Sequence, residues 1–197
     1  MSRLFPCFEI SGPPFERGVQ YGRACPQIIA RSVEIYSQQL LDMGYDWNGI
    51  KRLVNQFKPN IEAFEPLYLE EMRGIAEGSG LDFEAIILIN ARTEIIHLGR
   101  RHQHDKPELD GCTGAIVLPD ATLNGELLHG QNWDWRAECA ETGIVLRIRR
   151  DDGPDLLTFT EAGGLARAGL NSIGTAITGN NLESDRDYQN LGVPLPL

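Results

Sequence analysis

Two hydrophobic periods divide the chain near residue 110. Before that point apolar residues recur at helical spacing; after it, short runs of β-formers alternate with turn residues. Residues 4–10 read as one short strand, with Phe5, Cys7 and Glu9 on one face. Ser11-Gly-Pro-Pro14 breaks it and opens a helix, whose first turn places Glu16 at the positive end. Ile28, Ile29, Val33, Ile35, Tyr36, Leu40 and Leu41 carry the helical period to Met43, and Pro26 should bend or split the helix around Ala24-Cys25. Further helices are predicted over residues 47–57, 61–78 and 83–98. Pro59 and Pro66 punctuate this stretch, Gly78-Ser-Gly80 closes one helix and Asp82 caps the next. Residues 99–109 are polar and non-periodic, which reads as an exposed loop.

Beyond residue 110 the predicted strands cover 113–118, 126–133, 143–149, 156–160, 165–170 and 173–179. Leu170-Asn-Ser-Ile173 fits a two-residue hairpin turn, since Asn tolerates positive φ. Helices followed by antiparallel strands point to an α+β layered fold. Gly18 and Gly22 read as points of close helix packing. Trp133 and Trp135, flanking Asp134, should pack inward. The chain stops at Val193-Pro-Leu-Pro-Leu197 without a closing helix, so the expectation is a fold interrupted at that end.

Composition adds exclusions. With 18 basic and 28 acidic residues in 197, the net charge of −10 argues against tracking nucleic-acid phosphates. No apolar run reaches the ~18 residues of a membrane span. The N-terminus shows no charged head followed by an apolar stretch, so no secretory signal is read. Cys7, Cys25, Cys112 and Cys139 are scattered without a CxxC pair, which reads as reduced thiols in a cytoplasmic compartment.

One cysteine is unusually placed. Leu109-Asp-Gly-Cys-Thr-Gly114 puts Cys112 at the opening of a strand, behind a glycine and a polar loop. As a small buried hydrophobe it would need no further explanation. As a nucleophile it would attack the carbonyl of Gly111, and water would open the resulting thioester to leave Cys112 as a new N-terminus. Glycine leaves that carbonyl accessible and permits a strained backbone. A freed α-amine ordinarily titrates at about 7.7–8.0, so it can then take the thiol proton without a histidine partner. Asp134, on the strand expected to run antiparallel to that of Cys112, is a candidate to orient this amine; capping a turn is the bland alternative. Gly179-Asn-Asn181, at the end of the predicted hairpin, offers a candidate oxyanion donor in the amide of Asn180 or Asn181, with plain turn chemistry as the alternative.

At these residues the sequence resembles a known family. Pro14-Phe-Glu-Arg-Gly18 with Gly22, Glu71-Met-Arg-Gly-Ile-Ala76 and Asn90-Ala-Arg-Thr-Glu94 are similar to motifs of the acyl-coenzyme A:6-aminopenicillanic acid (isopenicillin N) acyltransferases. So are Asp110-Gly-Cys-Thr113, Gly130-Gln-Asn-Trp-Asp134, and Glu161-Ala-Gly163 with Gly169-Leu-Asn-Ser172. That family sits in the N-terminal-nucleophile hydrolase superfamily. The resemblance implies an αββα sandwich, incomplete in this chain. It implies cleavage between Gly111 and Cys112, giving a mostly helical segment 1–111 and a β-rich segment 112–197 that stay associated as one intertwined domain. It further implies a Cys112 thioester, Asp134 beside the nucleophile and Asn180 at the oxyanion hole. The substrates would be an amide or acyl-CoA donor and an amine or water acceptor. No cofactor, metal, nucleic acid or membrane is called for.

Two other readings compete. Cys112 with His97, His102 and His104 forms a loose metal-ligand set, lacking the tight paired motifs of structural zinc. An unprocessed homologue acting as a binding module is the second. Arg100-Arg101 and Arg147-x-Arg149-Arg150 read as solvated strand ends, with a grip on a carboxylate or phosphate as the alternative.

Overall fold

A computed structural model describes residues 5–101, 111–151, 153–180 and 191–197. The N-terminal strand β1 (Cys7–Ser11) starts after Pro6 and buries Ile10. Helices α1 (Pro14–Ala24) and α2 (Pro26–Asp42) follow, each with proline in its first turn, and the chain breaks at Cys25 as Pro26 foretold. Next come α3 (Trp47–Asn55), α4 (Lys58–Phe64) and α5 (Pro66–Ser79). The single helix expected over 61–78 is therefore two. Glu65 is extended and its carboxylate accepts from the Leu67 N–H at 3.1 Å, so Glu65-Pro66 is a fresh N-terminus rather than a kink. Gly80, at φ +73°, closes α5.

The helix expected over 83–98 is also divided, into α6 (Phe83–Asn90) and α7 (Arg92–Arg101). Neither glycine nor proline marks the break at Ala91. Its flanking residues Asn90 and Arg92 both bond to the segment after the central strand, described below. Asp82 stands at the N-cap position of α6 but makes no side-chain cap. Lys51, at 2.8 Å, and the Trp47 indole, at 3.3 Å, take its carboxylate instead and hold it below the usual Asp range. Six of the eight residues of α6 are buried, so this short helix runs through the core.

The β-rich part supplies β2 (Thr113–Val117), β3 (Leu128–Asn132), β4 (Gly143–Arg149), β5 (Leu156–Glu161), β6 (Ala168–Asn171) and β7 (Ala176–Ile177). One sheet has the order β1-β4-β5-β6-β7; β1 runs parallel to β4 and the rest are antiparallel. Strands β2 and β3 form a separate antiparallel ribbon. The β6–β7 turn is wider than the two residues predicted. Asn171 accepts at Oδ1 from the N–H groups of Ile173 and Thr175, at 3.2 and 2.8 Å, and Gly174 supplies the positive φ.

Helices, five-stranded sheet and ribbon make three layers, an α+β arrangement. Ile10, Ile144, Leu146 and Ile148 of the sheet join the core formed with Tyr21, Ile29, Tyr36, Met72 and Ile87 of the helices. On the other side, a cleft of about 550 Å³ separates sheet and ribbon, lined by Trp133, Phe159 and Ile177 among others. No helix among the described residues is long and apolar enough to cross a membrane.

The tightest helix contact is α1 on α5. A Cβ on Gly18 would sit 2.2 Å from the Glu71 carbonyl oxygen, and one on Gly22 would sit 2.5 Å from that of Ile75. A Cβ on Gly74 would sit 2.1 Å from the Phe15 carbonyl oxygen. Beside this contact the buried Arg17 and Glu71 pair at 2.8 Å. The backbones touch where any side chain would hold them apart. Gly74→Ala should therefore destabilise the fold by about 1–3 kcal/mol, read as a lower urea midpoint, whereas Gly44→Ala, with open space around it, should lose only what its positive φ demands.

Candidate active site

Cys112 lies immediately before β2 and is half-buried, with exposed Gly111 behind it. Among the described residues, nothing lies within 4 Å of where a Gly111 Cβ would be. In the ribbon Thr113 faces Asn132 and Gly114 faces Gln131. Carrying that register one step further sets Cys112 across from Trp133. Directly opposed residues share a face, so the thiol, Gly114, Gln131 and Trp133 belong to the face turned toward the sheet.

The segment after β7 meets this face. Gln131 donates through Nε2 to the Gly179 carbonyl at 2.6 Å and to Asn180 Oδ1 at 2.8 Å. His129 joins Thr178 at 3.0 Å. With its oxygen occupied by Gln131, Asn180 turns Nδ2 toward Gly114, 3.5 Å from where a Cβ would stand. Asn180 is thus held two residues along the strand from Cys112, on the same face. Gln131, which orients it, is a site residue that reading the motifs alone missed.

Asp134 is placed differently. It is exposed, lies beyond the end of β3, and forms no hydrogen bond or ion pair with the described residues. Strand alternation continued from Asn132 would turn it away from Cys112. Alternation therefore does not join the two residues, and contact depends on how the backbone runs after β3 ends. Trp133 and Trp135 do pack inward against the core.

A buried polar cluster joins the segment after β3 to the helices and to β5. The Tyr36 hydroxyl donates to Glu161 and accepts from Arg92 Nε at 2.8 Å and Trp135 Nε1 at 2.9 Å. Arg92 also pairs with Glu161 at 2.5 Å, with both side chains under 5% exposed. Burial is the largest single influence and pulls the Arg92 guanidinium down, but the Glu161 charge and the Tyr36 contact together outweigh it and hold the value above the ordinary range. Burial raises the Tyr36 phenol well above its usual value and pushes the neighbouring Cys139 thiol up to about 12. Burial likewise pushes Cys25 to about 12. Close by, Asn90 Nδ2 donates to the Gly163 carbonyl at 2.9 Å and its Oδ1 accepts from the Leu165 N–H, also at 2.9 Å. Tyr21 completes the clamp by accepting from the Gly163 N–H at 2.8 Å.

The remaining candidates divide. Arg147 and Arg149 lie near Glu9 at 3.6 and 3.7 Å, and Arg149 meets Asp155 at 2.5 Å, so these two are exposed ion pairs. His102, His104, Asp110 and Asn181 lie outside the described residues, as do the side chains of Arg100 and Arg101. Among the described residues no three His, Cys, Asp or Glu side chains gather to hold a metal.

No family model matches the chain. It is 30% identical over 172 residues to the 40 kDa form of the acyl-coenzyme A:6-aminopenicillanic-acid acyltransferase of Emericella nidulans, across 87% of this chain. The chain is a distant relative of that acyltransferase. A protein of Archaeoglobus fulgidus described as uncharacterized is 24% identical, across 85% of the chain. The chain spans 45% and 31% of the lengths of these two relatives. Several motifs carrying the resemblance prove to be mutual contacts: Arg17 and Gly18 meet Glu71 and Gly74, and Asn90 and Arg92 meet the 161–165 segment.

The cluster sets a stability prediction. Tyr36→Phe strands the donors of Arg92 and Trp135 and should cost about 1–3 kcal/mol. Glu161→Ala leaves a buried guanidinium uncompensated and should cost about 3–5 kcal/mol. Both are read from denaturant midpoints, and midpoints equal to wild type would show the cluster to be no structural tie.

Proposed function

We propose that this chain is a self-processing cysteine acyltransferase or amidohydrolase of the N-terminal-nucleophile type, cleaved between Gly111 and Cys112. The observation that carries this is the place of Cys112: first residue before a ribbon strand, directly after an exposed glycine, with an oriented Asn180 amide on its face. Similarity to an acyltransferase across most of the chain supports the reaction class.

In the processing step the Cys112 sulfur attacks the Gly111 carbonyl carbon. The C–N bond breaks as the C–S bond forms, and the α-nitrogen takes up the thiol proton. Water then opens the thioester, restoring the thiol and leaving a Gly111 carboxylate. In turnover the freed α-amine accepts the thiol proton, and the thiolate attacks the acyl carbonyl of an amide or acyl-CoA donor. The same proton passes to the departing amine or thiol, and an amine or water takes the acyl group from sulfur. Asn180 Nδ2 donates to the oxyanion, and Asp134 orients the ammonium once the chain is cut. The two segments stay together because β1 remains bonded to β4. A reducing, cytoplasmic compartment suits a free Cys112 thiol.

Intact mass and N-terminal sequencing after expression should give residues 1–111 and a second polypeptide that begins with Cys112. Cys112→Ala should remain one uncut chain without turnover. Asn180→Ala should lower kcat by about 10²–10³-fold, the usual effect of losing one oxyanion donor. Turnover by protein in which Cys112 is still joined to Gly111 would sink the reading.

A further inference from the structure

Arg167 stands just before β6, with its guanidinium carbon 4.0 Å from the centre of the Trp133 ring. Carrying the ribbon register one step past Thr113 and Asn132 sets Trp133 across from Cys112. Arg17, Arg92 and Arg136 each meet a carboxylate. Arg167 meets none among the described residues, in a chain with ten more acids than bases. The buried carboxylate in its neighbourhood, Glu161, is already committed to Arg92 and Tyr36. Burial, helped by the nearby Arg92 charge, pushes Arg167 down to about 10, so at neutral pH it is a cation with part of its hydration lost and no carboxylate partner among the described residues. A cation–π contact at this distance does not use up the guanidinium N–H groups, which remain able to grip a planar, two-oxygen acceptor. Trp133 also buries its own indole N–H without an acceptor among the described residues.

We propose that Arg167 anchors a carboxylate on the substrate, holding it beside Cys112 so that the neighbouring acyl carbonyl reaches the thiol. The inference rests on Cys112 as the nucleophile and narrows its substrates to small acids of the N-acyl amino acid class. Arg167 contacts the substrate through charge-assisted hydrogen bonds and takes no part in proton transfer. Its removal weakens binding of carboxylate substrates and leaves their neutral amides unaffected.

Iodoacetate and its neutral isostere iodoacetamide test this without a known substrate. The alkylation rates at Cys112 are measured by peptide mass analysis, with exposed Cys7 as reference thiol in the same sample; Cys25 and Cys139, pushed to about 12, stay unlabelled near neutrality. The iodoacetate-to-iodoacetamide ratio at Cys112 should exceed that at Cys7 by about tenfold, or about 1.4 kcal/mol. The iodoacetate rate should saturate with concentration, and N-acetylglycine should protect Cys112 where N-acetylglycinamide does not. In Arg167→Gln the ratio should fall to that of Cys7, and Arg167→Lys should keep much of it. Equal ratios at the two thiols in the wild type, or a ratio unchanged in Arg167→Gln, would overturn the anchor. A rate linear in iodoacetate would do the same, since it shows a field without a site. If Arg167→Gln does not fold, the wild-type ratio and the protection pair decide. An uncut, non-turning-over chain that still shows the saturable preference would refute the processing reading and keep the anchor.

Discussion

One phenol oxygen organises the end of the molecule where the chemistry is proposed. A tyrosine hydroxyl has one proton to give and two lone pairs to offer, and Tyr36 uses all three. It gives to Glu161 and receives from Arg92 and Trp135. Tyr36 itself stands on α2, and its partners come from α7, the end of β5 and the segment after β3. A buried guanidinium beside a buried carboxylate is tolerable only while each remaining donor and acceptor is satisfied. The helical layer, the sheet and the backbone that follows the ribbon are thereby fixed to one another at one point. Without it, Trp133 and the strand facing Cys112 would have fewer reasons to stay where they are.

Several of the motifs that carry the resemblance are scaffold. Arg17 with Glu71 and Gly18 with Gly74 join α1 to α5. Asn90 and Arg92 clasp the chain after β5. These pairs are far apart in sequence, so each motif looks isolated when read along the chain, and only folding shows that they are halves of the same contacts. The stretch that bears on the proposed chemistry is short: Gly111 to Thr113, Gly130 to Asp134, and the Asn180 amide.

What could be read directly from the sequence was local. Pro26 split α1 from α2 because a missing N–H and a ring clash act over one turn. The β-branched run of β4 defined its own limits, residues 143–149, for the same reason. Long-range matters were not legible. Nothing in residues 7–11 announces a parallel partner at 145–149. The Asp82 carboxylate abandoned its cap for Lys51 and Trp47, more than thirty residues away. Ala91 breaks a helix with no local breaker present. The site shows the same division: Cys112 was marked by its glycine and strand, whereas Gln131 and Arg167 gain their meaning only from what lies across the ribbon.

The pairing of β1 with β4 has a physical corollary for any version of this chain severed at residue 111. The sheet would then be shared by two polypeptides, and unfolding would release two molecules instead of one. Thermal resistance, independent of dilution in an unbroken chain, would become bimolecular and rise with protein concentration. Because the strand from the first segment lies at the sheet's edge, its loss would also bare a row of backbone donors and acceptors along β4.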